Sequence, residues 1–472
     1  MLKNKMRDFD YIIVGNGVGV MAAAVLLGAR QKVAVVNPSP NWGGIFGGIK
    51  INDRQFDIGM VFFEFDSFYP LSDDLSSYNP DRYNDSARFL QLVRRFWEQR
   101  LDFHEAPKIK SLLGGDFFGD IMVANQPDVL QSFSDSIKNK IAEELDALAM
   151  EKSPLHASLK HSEKDRFLTA NYRDVSIANH GEILHRRLFG PFCRKVLGVC
   201  ESEITALFHR AAWCPLYYPE TLLSAIRGEK LMLPDTRFYY PKGGHFALTV
   251  ETLSAEMSRN KNITLIRDKP VGMTAAAPAL SFTDDKITAK KIIWGGDLAQ
   301  LLPLLDGAPP PPQLKKSSIT MVFAETDKKP TVSDFSTAFV CDEDECIYRM
   351  TRQGESCAEL PVAQFVFEIN GGILQEQGID GDDEIISHVK RFVKKAEVFD
   401  PENGASFTVR HFNNALTLPT SENFQKFKTA KEAIGSLYDN VNYIGSAAGF
   451  AGGSFNDQIV SALQLEEKYG TD

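Results

Sequence analysis

The sequence predicts an α/β protein in which a parallel sheet, built from discontinuous segments, accompanies a mixed domain of helices and antiparallel sheet. The first observation is a strand, a glycine-rich turn, a helix and a second strand within residues 1–37. The second is a mainly helical pattern over residues 80–233, followed by alternating runs typical of antiparallel strands. The third is a closing strand, glycine-rich turn and helix after residue 440, which predicts a return to the first domain.

The composition is that of an ordinary globular chain. Its 472 residues include 52 Lys and Arg and 62 Asp and Glu, and the length allows two or three domains of roughly 100–200 residues. The net charge of −10 argues against nucleic acid as the main partner, because a phosphate backbone requires a concentrated basic surface. No signal-peptide core is present, and the longest apolar stretch, residues 18–29, is shorter than the roughly 20 residues that span a bilayer. We therefore expect a cytoplasmic protein with a small-molecule substrate and no transmembrane segment; a homo-oligomer is compatible with this composition.

The cysteines indicate neither a disulfide framework nor a metal site. None forms a Cys-x-x-Cys pair, and the helical region has no His-Glu-x-x-His spacing. We therefore expect reduced, buried cysteines and no bound metal. The cysteines are Cys193, Cys200, Cys214, Cys341, Cys346 and Cys357.

The N-terminal unit begins with a strand over residues 8–14 that ends in a continuous apolar run, as buried parallel strands do. In the next turn, Gly15 permits a tight bend and Gly17 lets a pyrophosphate approach the backbone, while the following helix presents N–H donors. The sixth position of this motif is Val20 instead of Gly or Ala, and Gly19 is expected to relieve the crowding. The turn predicts dinucleotide binding in a Rossmann-like domain. The residues predicted to bind are Gly15, Asn16, Gly17, Val18 and Gly19.

The remaining periodicity predicts the second domain and the domain order. Helices are predicted at 87–101, 126–149, 182–197, 243–258 and 382–395, and strands at 262–266, 279–282, 286–293, 318–324, 345–351 and 362–369. The four prolines at 309–312 form a stiff connector that is typical of a domain crossing. The predicted boundaries are 1–79, 237–308 and 435–472 for the nucleotide-binding domain, 80–236 for a helical substrate region and 309–434 for the substrate-domain sheet.

The segment after the second strand narrows the choice of cofactor. Asn37 stands where an acidic residue usually binds the adenosine ribose, and Ser39 follows it. A Gly43-Gly44 pair comes next, and then Asp-Ile-Gly at 57–59. With this pattern the chain resembles the flavin amine oxidase superfamily, which includes amine oxidases, protoporphyrinogen oxidases and UDP-galactopyranose mutases. The resemblance implies FAD instead of NAD, with the glycine pair against the cofactor. Asn37 is interpreted either as a neutral ribose ligand or as a turn former.

Three later stretches, 238–248, 285–296 and 443–463, are similar to segments of the same superfamily. The last of them implies a helix whose N-terminus faces the flavin and stabilises negative charge on it. The resemblance also implies non-covalent FAD, because no cysteine follows Cys357 to serve as a covalent anchor. The C-terminal residues implied to bind the cofactor are Gly445, Ser446, Phe455, Asn456 and Asp457.

The resemblance implies an FAD-dependent oxidoreductase that oxidises or dehydrogenates a small molecule by hydride transfer to flavin N5. On the substrate side, His245 is expected to act as a proton shuttle or to cap its helix. Arg349 and Arg352 are candidates for clamping an anionic group, although a solvated or ion-paired role is the alternative for each. Strand alternation predicts Tyr348 and Arg352 on one face and Arg349 on the other.

Two alternatives stay open. One is a mutase-like flavoenzyme acting on a nucleotide sugar. Against it, Met60 follows the Asp-x-Gly motif where mutases usually have a His, and Ser446 stands where many have an Arg. The other is a flavin-binding partner protein without catalysis, which the altered residues Val20, Asn37 and Ser39 allow.

Overall fold

The computed structural model describes residues 7–66, 85–151, 153–156, 164–229, 237–274, 278–332, 334–353, 362–438, 441–449 and 453–470. Its strands are β1 (Arg7–Val14), β2 (Val33–Val36), β3 (Ile49–Ile51), β4 (Arg54–Phe56), β5 (Phe63–Asp66), β6 (Phe103–Glu105), β7 (Ile109–Leu113), β8 (Asp116–Gly119), β9 (Arg237–Pro241), β10 (Ile263–Ile266), β11 (Gly272–Thr274), β12 (Ala279–Ser281), β13 (Lys286–Trp294), β14 (Lys316–Thr326), β15 (Thr337–Val340), β16 (Ile347–Gln353), β17 (Ala363–Asn370), β18 (Ala405–Thr417) and β19 (Val441–Tyr443). Its α-helices are α1 (Val18–Gly28), α2 (Asp85–Glu98), α3 (Asp135–Met150), α4 (Lys164–Thr169), α5 (Tyr172–Leu184), α6 (Gly190–Leu197), α7 (Pro219–Ile226), α8 (Ala247–Arg259), α9 (Leu298–Leu301), α10 (Gly371–Glu376), α11 (Asp382–Lys395), α12 (Ser421–Leu437) and α13 (Phe455–Tyr469).

The first sheet carries the parallel strands in the order β10-β2-β1-β13, and β19 also pairs parallel with β13. Strands β12 and β11 extend it antiparallel beyond β13. These strands come from three separated parts of the chain, as the sequence predicts. Tyr11 and Ile13 pack on one side with α1, α8 and α13, whereas Ile12 and Val14 pack on the other side with α9 and α12. Because helices cover both faces, β1 is apolar on both sides where it is buried.

The second sheet has the order β18-β14-β17-β16-β15-β7-β8, with β15 and β7 parallel. One face packs on α11, which has the predicted bounds, and the other packs on the helical region. The prediction of a mainly helical segment at 80–233 was incomplete, because it missed β6, β7 and β8. Each of these strands is short. The Gly114-Gly115 turn between β7 and β8 is a local hairpin signal that the prediction overlooked, whereas no local pattern indicates the pairing of β7 with the distant β15.

Several predicted helices differ from the observed ones at their ends. The predicted helix 126–149 is divided into a 3-10 helix, Pro127–Ser132, and α3, because the extended backbone of the N-cap Ser134 interrupts it. The predicted helix 182–197 is part of a longer assembly in which a π-helical turn, His185–Phe189, joins α5 to α6. Helix α8 begins at Ala247, after the glycine-rich turn that the prediction included in it.

The residues from the end of β2 to β5 connect the two sheets and position the candidate site. The β3–β4 hairpin places Ile51 and Phe56 against Phe323 of the antiparallel sheet. The chain then returns as β5, which pairs with β9 and contacts α13. Residues 57–64 therefore lie between the antiparallel sheet and the N-terminal end of the last helix.

The described cysteines are free thiols, and Cys357 lies outside the described residues. The prediction that they are buried is wrong for Cys200, which is exposed beside the short 3-10 helix Glu201–Glu203. The buried cysteines are Cys193, Cys214, Cys341 and Cys346. Within the described ranges, no helix combines the length and the apolar character that a membrane span requires.

Candidate functional site

The glycine turn after β1 forms an open N-terminus for α1. Gly15 has a φ of +133°, which favours glycine, and Gly17 is the N-cap of α1 without a side-chain cap. The N-cap residue therefore contributes no capping side chain to a helix end of the kind that binds anions, and among its first N–H groups that of Gly19 donates to Gln458 Oε1. Val20 packs against Gly295 at the end of β13, where an added Cβ would lie 2.3 Å from Val20 Cγ2. Gly295 therefore leaves the space that the bulky sixth residue occupies.

The Gly43-Gly44 pair lies directly against this turn. Gly43 forms a parallel bridge with Gly17, and its N–H donates to the Asn16 carbonyl at 2.6 Å. Gly43 has a φ of +85°, and a Cβ there would lie 2.3 Å from Val250 of α8, so a side chain is excluded. Gly44 has nothing within 4 Å of its Cβ position, which leaves its backbone accessible. The two glycine segments that the sequence analysis linked are thus adjacent.

Gln458 joins the C-terminal segment to both of them. Its Oε1 accepts from the Gly19 N–H at 3.2 Å and lies 3.2 Å from the Cβ position of Gly17. The same oxygen lies 3.4 Å from the Cβ position of Gly445, whose φ is +65°. The sequence analysis did not include Gln458 among the binding residues, although it follows Asp457 directly in the motif. Ser446 is exposed in the 3-10 helix that begins at Gly445.

Asn37, the residue expected near the adenosine ribose, does not have a side chain that is free to bind a ligand. The buried Asn37 side chain accepts from the Ser39 N–H at 2.9 Å and donates to the Asn41 carbonyl at 3.1 Å. Both ends of its amide are therefore engaged in its own loop, which favours the turn-former interpretation. Arg267, at the end of β10, donates to the Ser39 carbonyl at 2.7 Å and lies over the Trp42 ring at 4.8 Å. Because β10 pairs with β2, the residue after β10 lies close to the loop after β2. This position in the sequence could have indicated Arg267 as a residue of the site.

The N-terminus of α13 contains three residues predicted to contact the cofactor. Phe455 is buried among aromatic rings, with Phe246 at 4.5 Å between ring centroids, so its side chain contributes packing. The Asn456 amide donates to the Glu64 carbonyl, and its Oδ1 is a buried acceptor without a partner among the described residues. Burial raises the pKa of the Glu64 carboxyl, Arg210 opposes this shift, and Asp457 adds to it. Residues of three separate segments therefore meet at this helix end.

Arg349 forms a buried, bidentate ion pair with Glu368. Both contacts, Nε to Oε1 and Nη2 to Oε2, are 2.6 Å, and the guanidinium carbon lies 4.7 Å from the Trp213 ring centroid. The Tyr348 hydroxyl donates to the same carboxylate at 3.0 Å. The predicted separation of Tyr348 and Arg349 onto opposite faces is wrong, because the register with β17 shifts between Ile347 and Arg349 and lets both side chains reach Glu368.

This ion pair lies against the Asp-Ile-Gly segment. A Cβ on Gly59, whose φ is +74°, would lie 2.9 Å from Glu368 Oε1. The remaining guanidinium nitrogen, Arg349 Nη1, is buried without a hydrogen-bond partner among the described residues. Although burial by itself lowers the pKa of Arg349, the Glu368 carboxylate raises it, so the guanidinium stays charged. The site therefore holds a neutral pair with one unused donor group.

Asp57 fixes the start of α8. Its carboxylate accepts from the Tyr240 hydroxyl and from the Phe246 N–H, the latter at 2.9 Å. Its backbone N–H donates to Gln353 Oε1 at 2.9 Å, and its carbonyl accepts from Gln353 Nε2 at 2.8 Å. Burial raises the pKa of Asp57, while nearby His245 and these donors oppose the shift. Asp57 is thus a positioning residue that links α8 to β16.

The two other predicted substrate-side residues lie near Asp57. His245 Nε2 is 2.7 Å from Gln364 Oε1, so its ring is tied to β17. Arg352 lines a small, partly open cavity together with Asp57 and Tyr240. The clamping role of Arg352 and the proton-shuttle role of His245 therefore stay predictions.

Known proteins share this architecture, although not its sequence. No protein-family model matches the chain, and no curated protein matches it in sequence. Solved structures align over nearly the whole chain, and they belong to the flavin amine oxidase superfamily. The predicted resemblance is therefore confirmed at the level of the fold.

Three of these structures illustrate the match. A reduced UDP-galactopyranose mutase aligns with a TM-score of 0.70 and 12% identity, over 98% of this chain and 96% of the mutase. A protein described as a protoporphyrinogen oxidase, from Exiguobacterium sp. 255-15, aligns with a TM-score of 0.64 and 14% identity, over 99% of both chains. Cyclohexylamine oxidase from Brevibacterium oxydans IH-35A aligns with a TM-score of 0.61 and 14% identity, over 98% of this chain and 100% of the oxidase.

Proposed function

We propose that this protein binds FAD non-covalently and is an amine-oxidase-like FAD-dependent oxidoreductase acting on a small molecule. The observation that carries the proposal is the meeting of three glycine segments, at Gly17, Gly43 and Gly445, at the N-terminus of α1. The Rossmann-like domain would comprise 1–79, 237–308 and 435–472, with 80–236 and 309–434 forming the substrate domain. We further propose cytoplasmic location and no nucleic-acid partner, in keeping with the net charge of −10.

The residues present fit FAD. The backbone N–H groups after Gly17 would hold the pyrophosphate, and the accessible backbone of Gly44 would lie along the cofactor. Next to it, Ile45 is 56% exposed, an apolar surface that a ring system would cover. The unpartnered Asn456 Oδ1 is an acceptor suited to a flavin N–H group. Bound FAD would supply the hydride acceptor at its N5 atom.

The substrate side would hold and orient the reacting molecule. Because Glu368 neutralises Arg349, a substrate would meet one remaining guanidinium nitrogen and the Trp213 ring. This favours a small molecule with one acceptor group over a doubly charged diphosphate. Asp57 would keep α8 in place, and His245, whose ring is held by the hydrogen bond to Gln364, is proposed as the proton shuttle.

Anaerobic titration of the purified flavoprotein tests this function. Primary amines, amino acids and small alcohols are added in turn while flavin absorbance is recorded. Bleaching by one substrate class, and its return on admitting oxygen or a quinone, is the expected result. Flavin that no substrate in the panel reduces, but that dithionite does reduce, would contradict an oxidoreductase and favour a non-catalytic partner protein.

The mutase remains the second candidate, supported by the TM-score of 0.70 with UDP-galactopyranose mutase. It predicts turnover of a UDP-sugar only after prior reduction of the flavin, with the flavin still reduced afterwards. Met60 and the neutralised Arg349 weigh against it. The same anaerobic experiment, repeated with UDP-galactopyranose and dithionite, distinguishes the two functions.

A further inference from the structure

Three side chains of different chemistry converge at the start of β16, away from the glycine cradle. Glu345 and Cys346 are consecutive in the chain, and His388 lies on α11. His388 Nε2 is 2.6 Å from Glu345 Oε1 and 3.3 Å from Cys346 Sγ. Within the described ranges, these three ligand atoms all lie within 4.8 Å of one another.

We propose that Glu345, Cys346 and His388 bind a divalent cation of the zinc class. Thiolate, imidazole and carboxylate are the three protein ligand types that zinc accepts, and the first two favour it over magnesium or calcium. Around a tetrahedral Zn²⁺ the three atoms would lie about 3.3–3.6 Å apart, given Zn–N and Zn–O bonds of about 2.0–2.2 Å and a Zn–S bond of about 2.3 Å. The two separations from His388 Nε2 therefore need to open by less than about 1 Å, and the sulfur and the carboxylate oxygen lie within 4.8 Å of each other.

The same histidine nitrogen faces both partners, which distinguishes this cluster from a relay. In a Cys–His–carboxylate relay, the carboxylate would orient the ring through the other nitrogen, Nδ1. Here Nε2 points to the sulfur and to the carboxylate alike, as a ligand set around one centre does. The geometry therefore favours coordination over nucleophile activation.

The charges and the access of the site also suit a dication. A thiolate and a carboxylate neutralise two positive charges, so the nearby Lys195 ammonium, which donates to the Val340 and Asp342 carbonyls, would face a neutral site. On binding, the cation would displace the Cys346 proton to solvent. Glu345 lines an open cleft, which offers an entry path and a place for a water ligand. The Cys346 side chain is fully buried, so the sulfur is shielded on its other sides.

Cobalt binding to the full-length protein tests the site, because a Co²⁺–thiolate bond absorbs in the near ultraviolet. Chelator-treated protein is titrated with Co²⁺, the flavin contribution is removed as a difference spectrum, and bound Zn²⁺ is counted by elemental analysis after equilibrium dialysis. We expect one ion per chain and a sulfur-to-cobalt band. Glu345→Gln, at a half-buried position, should weaken binding at least about tenfold, and Cys346→Ser should remove the band.

Two controls separate the site from adventitious binding. Cys200→Ser removes the exposed thiol, and His411→Gln removes a histidine that pairs with Asp382 at 3.1 Å and, among the described residues, contacts Thr320 and no cysteine. Both should bind cobalt as the unmodified protein does. Absence of a sulfur-derived band in the unmodified protein, or its persistence in Cys346→Ser, would show that the cluster is only a hydrogen-bonded contact between α11 and β16. Because no readout is catalytic, failure here would leave the flavin proposal untouched.

Discussion

Removing Arg349 is expected to destabilise the protein far more than removing an exposed arginine in an ion pair of the same length. The Arg349 and Glu368 side chains are only 7% and 2% exposed, and their contacts are 2.6 Å. Arg349→Met preserves much of the side-chain volume but leaves the Glu368 carboxylate buried without its partner. Breaking a buried pair in this way costs about 3–5 kcal/mol of the free energy of unfolding.

The matched control is the pair between Arg7 and Asp285, also 2.6 Å, whose side chains are 54% and 32% exposed. Arg7→Met should cost less than about 1 kcal/mol, because water already solvates both charges. Combining Arg349→Met with Glu368→Gln removes both buried charges and should be less destabilising than Arg349→Met alone. The assay is urea unfolding at pH 7 followed by far-ultraviolet circular dichroism. A loss below about 1 kcal/mol for Arg349→Met, or no recovery in the double variant, would refute the reasoning.

Three further predictions concern the cofactor site. Gly17→Asp should abolish FAD binding, measured by flavin absorbance, because a carboxylate would lie beside the pyrophosphate. The control Gly435→Asp changes a helix position with nothing within 4 Å of the Cβ, and this variant should bind FAD normally in the same assay. For Glu64, burial raises the folded-state pKa above the unfolded value of about 4.3, so its contribution to stability is complete at low pH and is lost as pH rises through the folded pKa. Glu64→Gln should therefore raise the melting temperature at pH 7 but not at pH 4, and an equal shift at both would contradict this. A chain ending at Asp439 should be free of flavin and poorly soluble, since it loses about 5 kcal/mol of apolar burial from Ile459, Val460 and Leu463. Stoichiometric FAD in this truncated chain would contradict an FAD-binding domain that needs the C-terminal segment.

Much of the fold could be predicted because its signals are local. The apolar run of β1, the glycine turn and α1 follow one another within a few residues, and α11 has acidic residues in its first turn and lysines in its last. Strands β7 and β8 were missed although they form a local hairpin, because each has only four or five residues and β7 joins the rest of the sheet through the distant β15. Their periodicity is too short to distinguish them from the surrounding helices.

The sequence indicated the glycines of the candidate site, at Gly15 and Gly43 because their positive φ favours glycine and at Gly17 because another backbone segment approaches it closely. Glu368 could not be found, because a glutamate on a strand suggests a solvated face and its pairing with Arg349 depends on the register between β16 and β17. The shift in that register also overturned the predicted faces of Tyr348 and Arg349. Cys346 and His388 are also far apart in the chain, so no motif spacing in the sequence indicates that they meet.

The most direct test of the central claim is the identity of the cofactor that the purified protein carries. The protein is denatured by heat, the precipitate is removed, and the supernatant is analysed by absorbance and chromatography against FAD, FMN and NAD standards. We expect a yellow supernatant with about one FAD released per chain and none left on the precipitate, as a non-covalent flavoprotein requires. Colourless protein that cannot be reconstituted with added FAD would contradict it.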